Sequence, residues 1–166
     1  MKHLFTGGVL LAALAVVGCG SGELDVRSVV RSNNDCNGKR LANLYYFHQV
    51  VSPRREGPKD ETAFRSFIKS RKPEQLAEMD VDPERLDGLF VSERDGEPFI
   101  IRYGVAIPGI GGGHHQAVVF ERQGLRGRVE IYMTGPKVVD IPRDEMAAYQ
   151  QGTHDVLNLP PEQPSE

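Results

Sequence analysis

Lys39-Arg40-Leu41-Ala42-Asn43-Leu44-Tyr45-Tyr46-Phe47-His48-Gln49-Val50-Val51-Ser52-Pro53 is the stretch that decides the fold class. Leu41, Leu44, Tyr45, Phe47 and Val51 fall near one wide apolar stripe of a helix, and Ser52-Pro53 ends it, because the residue before a proline disfavours the helical region. The helical pattern continues towards the C-terminus. Pro58 and Asp60 introduce a second helix with Phe64, Phe67 and Ile68 at helical spacing. Short turns follow from Pro73 to Met79 and at Asp82-Pro83-Glu84, where a capping aspartate precedes a proline suited to the first helical position. Tyr45, Tyr46 and Phe47 in succession span more than half of the helix circumference, so at least one should face away from the core. Tyr46 is the candidate for an exposed, interface-forming aromatic, unless a further element packs over it.

Beyond Leu89 the period changes. Leu89-Phe90-Val91 and Phe99-Ile100-Ile101-Arg102-Tyr103 flank Asp95-Gly96, a hairpin signal, and Pro98 argues for an edge position. Further strands are expected at Ala117 to Glu121, Val129 to Met133 and Lys137 to Ile141, with turns at Gln123-Gly124 and Thr134-Gly135-Pro136. Val129, Ile131 and Met133 alternate with Glu130 and Tyr132, as a sheet with one covered face requires. Pro142 to Gln151 makes a closing helix. Helices followed by short antiparallel strands is the α+β pattern: N-terminal helices packed on a small antiparallel sheet of about four to five strands, with the long helix across it.

The sequence begins Met1-Lys2-His3 and continues with an apolar run from Leu4 to Val17, then Gly18-Cys19. A short cationic start, an apolar core and small residues have the composition of a secretory signal, and the run is too short to cross a ~30 Å hydrocarbon core as a mature helix. Val16-Val17-Gly18-Cys19 resembles the lipobox of bacterial lipoproteins. The resemblance implies cleavage before Cys19 and attachment of diacylglycerol to its sulfur; the alternative is an ordinary cleaved signal with a coincidental cysteine. The expected organisation is therefore a signal peptide at 1–18, lipidated Cys19 and tether at 19–30, a single domain at 31–155 and a disordered tail at 156–166. That tail, rich in proline and polar residues, cannot bury enough apolar surface to offset chain entropy. The location implied is the cell envelope, anchored to the inner or outer membrane and facing away from the cytoplasm, with other envelope proteins as partners.

The 166-residue chain, less its first 18 residues, keeps 148, enough for one domain with a real core. Loss of Lys2 takes the net charge from −3 to −4. This mild acidity argues against nucleic acid or an anionic lipid surface as partner, either of which needs a net basic face. The basic runs Arg54-Arg55 and Lys69-Ser70-Arg71-Lys72 read first as solvated helix ends and loops, with a local binding patch as the alternative. Of the two cysteines, Cys36 has no intrachain partner once Cys19 carries lipid, which leaves a buried inert thiol or an intermolecular bridge at an interface.

Asn37-Gly38-Lys39-Arg40-Leu41-Ala42-Asn43-Leu44-Tyr45-Tyr46-Phe47-His48 followed by Gly57-Pro58-Lys59 is similar to the helix and glycine/proline loop of pilin-like proteins abundant in planctomycete bacteria. Arg94-Asp95-Gly96-Glu97-Pro98-Phe99-Ile100-Ile101-Arg102-Tyr103 is similar to the Gly-x-Pro-Tyr approach to a strand in type II pseudopilins. The long apolar helix with a glutamate near its start, by which pilins polymerise, is replaced here by the lipobox. The resemblance implies a globular pilin-like layer without the filament-forming spine, and no catalytic residue carries over.

Pro108-Gly109-Ile110-Gly111-Gly112-Gly113-His114-His115 is the stretch that could be read as a site. Adjacent imidazoles on a glycine loop can ligate Zn²⁺ or Cu²⁺, but a zinc site needs three or four protein ligands, and neighbouring residues of a strand face opposite ways. His48, His154 and several carboxylates could complete the set; a mobile loop ending in two surface histidines is the plainer reading. The glycines lead into Gln116-Ala117-Val118-Val119-Phe120, so they form neither a Walker loop nor a dinucleotide fingerprint. Asp80-Val81-Asp82-Pro83-Glu84 lacks the glycine of a calcium loop. Neither Gly-x-Ser-x-Gly nor His-Glu-x-x-His occurs. The function expected is a non-catalytic binding or scaffold module; the alternative is a metal-binding or metal-dependent envelope protein using His114 and His115.

Overall fold

Helices come first along the chain and the sheet second, which makes the fold α+β. The computed structural model describes residues 36–107, 116–135 and 137–152. The expected signal, tether and tail lie outside them, as do Cys19, His114, His115 and His154. The elements are α1 (Asn37–Val51), α2 (Glu61–Lys69), α3 (Pro73–Glu78), a 3-10 turn (Pro83–Arg85) and α4 (Leu86–Leu89). Then come β1 (Ile100–Ile101), β2 (Ala117–Phe120), β3 (Arg128–Met133), β4 (Val138–Pro142), a second 3-10 turn (Arg143–Glu145) and α5 (Met146–Gln150). The four strands pair antiparallel in chain order. No helix among the described residues is long and apolar enough to cross a membrane.

The helix punctuation works through hydrogen bonds. The Asp60 side chain accepts from Ala63 N–H at 2.7 Å and caps α2, and Asp82 accepts from Glu84 N–H at 2.9 Å at the 3-10 turn. α1 takes its anion from far along the chain: Glu93 Oε1 accepts from Asn37 N–H at 2.9 Å, where a carboxylate offsets the positive helix end. Asn37 Nδ2 in turn donates to the carbonyls of Gly88 and Val91, tying α1 to the end of α4.

Every residue of α1 before Val51 is buried or half-buried, so this helix is embedded rather than merely amphipathic. Leu41, Leu44, Tyr45 and Phe47 sit in the main core with Phe64, Ile68, Leu76, Met79 and Phe90, whereas Val51, expected on the apolar stripe, closes the last turn and is 44% exposed.

The sheet has two covered faces, not the one expected from the alternation in β3. Ile101, Val119, Tyr132 and Val138 pair across the strands and meet α1. Ile100, Phe120, Ile131 and Val139 pair on the opposite face in a second cluster with Val129, Met133, Ile141, Met146 and Tyr149. Tyr132, expected to face solvent, is 3% exposed because the α1 side is as buried as the other. A register shift between Ala117 and Val119 places one extra residue in β2, so Val118 and Val119 both join the α1 cluster.

The expected first hairpin arm, Leu89-Phe90-Val91, is not a strand. Leu89 closes α4, and only a single bridge joins Val91 to Pro98 before β1. The β2–β3 turn also falls later than Gln123-Gly124. Leu125 and Arg128 exchange backbone hydrogen bonds of 2.8 and 3.0 Å around Arg126 (φ 54°) and Gly127 (φ 76°), the mirror-image turn that suits strand twist.

At Gly38 the helix lies hard against the sheet. A Cβ there would lie 2.2 Å from the Tyr132 ring. Alanine would gain about 0.5–1 kcal/mol of helix propensity, but overpacking costs about 1–3 kcal/mol. Gly38→Ala is therefore expected to lower stability in urea unfolding by about 1–2 kcal/mol, and Tyr132→Leu to make the same change neutral or favourable. A gain in the wild-type background would mean that the ring moves aside freely.

Candidate functional site

The densest polar constellation among the described residues lies where the Ser92–Glu97 turn packs on β2 and β3. Glu121, immediately after β2, has no accessible surface. Its Oε1 accepts from Ser92 Oγ at 3.1 Å, its Oε2 accepts from Glu130 N–H at 2.8 Å, and Arg94 Nε lies 3.4 Å away. Arg94 also donates to Glu130 Oε1 at 2.5 Å, and Glu130 Oε2 accepts from Tyr132 Oη at 2.6 Å. Two carboxylates therefore share one guanidinium. Burial raises the proton affinity of Glu121 above the usual carboxylate range, against the opposing pull of Glu130 N–H, Arg94 and Ser92.

Asp95 at the same turn shifts the other way. Burial alone would raise it, but the N–H groups of Gly124, Gln123 and Glu97 at 2.7, 2.9 and 3.0 Å hold its carboxyl below the ordinary value. Asp95 thus clips the Ser92–Glu97 turn to the β2–β3 loop.

Chemically, a carboxylate of raised proton affinity beside a serine hydroxyl has the parts of a base and a nucleophile. Here both are shut away, Ser92 being 2% exposed and Glu121 0%, so neither can meet a substrate in this conformation. The arrangement is a latch that holds three segments together. No motif announces it, since the Ser92/Arg94 turn, Glu121 and Glu130 come from three separate segments; only the charge of Glu121 at the end of an apolar strand could have hinted at it.

A second polar node pins the segment before the glycine loop. Tyr45 Oη donates to Arg102 O at 2.8 Å and accepts from Val105 N–H at 3.0 Å, and burial pushes its proton affinity up to about 12. Gln49 Nε2 donates to Val105 O at 2.8 Å and to Gln116 Oε1 at 3.2 Å, joining the residues on either side of 108–115.

The expected site residues do not converge. Tyr46 is half-buried, the least covered of the three consecutive aromatics but not the protruding one expected. Cys36, also half-buried, packs against the α1 core just before the helix. Cys19, His114 and His115 lie outside the described residues. His48, which the sequence offered as a further ligand, contacts Glu56 O at 3.0 Å through Nδ1 and meets the Phe67 ring edge-on. Among the described residues no group of three or more His, Cys, Asp or Glu could hold a metal ion.

No family model, curated protein or solved structure matches this chain.

Proposed function

We propose that this chain is a bacterial envelope protein held to a membrane by lipid on Cys19, whose α+β domain acts by binding or scaffolding without turnover. The observation that carries the reading is the order Met1-Lys2-His3, the apolar run Leu4 to Val17, and Gly18-Cys19. The inward-facing latch around Glu121 supports the non-catalytic part, because the groups with most chemical potential are spent on holding segments together. The likeness of residues 37–48 and 57–59 to pilin-like proteins, and of 94–103 to type II pseudopilins, belongs to the same proposal.

The intact mass of protein extracted from membranes of a bacterial host tests it. Cleavage before Cys19 with an acylated N-terminus is the expected result, and Cys19→Ser should remove the acyl mass. A wild-type chain without acyl mass would overturn the anchor. Stoichiometric Zn²⁺ or Cu²⁺, lost in His114→Ala/His115→Ala, would replace the scaffold reading with the metal-binding alternative.

A further inference from the structure

Arg54-Arg55 and Lys69-Ser70-Arg71-Lys72, which read in sequence as separate solvated runs, are brought by the fold to one corner. α1 and α2 both end there. His48 in the last turn of α1 stacks edge-on against Phe67 of α2 with ring centroids 4.8 Å apart, and Phe47 meets the same ring at 5.8 Å. The Arg71 guanidinium lies 4.4 Å from the Phe67 ring centre and 5.8 Å from that of Phe47. Ser52 N–H donates to His48 O, and Arg55 N–H to Ser52 O, so Arg54 and Arg55 turn just beyond His48.

Arg54, Arg55, Lys69 and Lys72 are exposed and Arg71 is half-buried. None of the five holds a carboxylate among the described residues, whereas Arg40, Arg65, Arg94 and Arg128 each do. Val51, three residues before Arg54, is one of two large apolar side chains left exposed among the described residues. Helix C-termini favour a cation or two. Five cations without a carboxylate partner among the described residues, four of them exposed, next to an exposed valine on a chain of net charge −3, exceed that need and complement an anionic surface with an apolar boundary.

We propose that this corner rests on anionic lipid headgroups of the membrane that carries the Cys19 anchor, and so sets how the domain stands. The inference rests on the lipid-anchor reading. Its geometry is feasible: α1 is about 22 Å long at 1.5 Å per residue, and Cys36 lies at the end away from the corner. The sixteen residues Gly20 to Asp35 reach at most ~55 Å, enough for anchor and corner to share one surface. The Ser92–Glu97 turn, fastened to the start of α1 through Asn37, then faces away from the membrane.

The test is co-flotation of the chain from Gly20 onward, without lipid, on vesicles of phosphatidylcholine containing phosphatidylglycerol and on vesicles of phosphatidylcholine alone. Both core clusters lie within residues 36–149, so this chain retains them. Binding is expected on the anionic vesicles only, to fall steeply with added salt, and to drop about fivefold for each of Arg54→Gln, Lys69→Gln and Lys72→Gln. These three side chains are exposed and outside the core, so circular dichroism should be unchanged. Equal binding to both vesicles, no binding to either, or a triple variant that binds like wild type overturns the proposal; absence of binding would point to an acidic soluble partner instead. The acyl mass on Cys19 is read separately, so failure of the anchor and failure of the corner are distinguishable.

Discussion

Glu121→Ala is expected to lower the unfolding free energy by about 3 kcal/mol, because removing one member of a buried ionic group leaves the others uncompensated. In the variant Arg94 keeps Glu130, which holds the cost at the lower end of the range, while Glu130 N–H and Ser92 Oγ each lose an acceptor. Glu121→Gln keeps one carbonyl oxygen and should cost less. The pH dependence separates burial from ion pairing. Burial raises the folded-state pKa of Glu121 above its ordinary 4.5, so its protonated form is favoured by folding. That contribution is complete below about the ordinary value and is lost as pH rises through the folded value. The gap between wild type and Glu121→Ala should therefore widen from pH 8 towards pH 5 in guanidinium titrations. A gap that narrows instead would mean that the attraction to Arg94 outweighs burial. Asp95 has the opposite sign: its lowered pKa gives stability that disappears as the pH falls through its folded value.

Tyr45→Phe is expected to cost about 2–4 kcal/mol despite preserving the ring, since it strips a partner from both Val105 N–H and Arg102 O. The hydroxyl is enclosed: Tyr45 has no accessible surface, and a Cβ added at Gly57 would lie 2.1 Å from the oxygen. Hydrogen exchange should localise the effect: the Val105 amide loses protection well before those of α2. Equal loss of protection throughout the domain would show that the node supports the whole core and not the 102–107 segment alone.

The helical half was legible because its boundaries are written in local chemistry. Ser52-Pro53, Asp60, Pro73 and Asp82-Pro83 each act within one turn of where they stand. β2, β3 and β4 were legible from their branched and aromatic residues. Leu89-Phe90-Val91 misleads because three apolar residues have no period of their own: Asn37, 51 and 54 residues from its two acceptors, decides between strand and helix end by donating to Gly88 O and Val91 O. Tyr132 was placed on the solvent side since alternation cannot show that a sheet is covered twice. The Glu121 latch was beyond reach for the related reason that Ser92 and Arg94 meet Glu121 and Glu130 only when the turn folds over the strands. The two basic runs follow the same rule: their charge is plain in the sequence, their adjacency is not.

The strand order has a consequence for how fast the domain can assemble. Because β1, β2, β3 and β4 each pair with a neighbour in the chain, the meander closes through local loops and needs no crossover. The hairpin at Arg126-Gly127 can nucleate on the microsecond scale typical of such turns. α1 instead packs on β2 and β3 from across the chain, so its docking carries most of the loop-closure entropy. The kinetic barrier should then fall at that docking, with the meander formed before it and Gly38 meeting Tyr132 only on its native side.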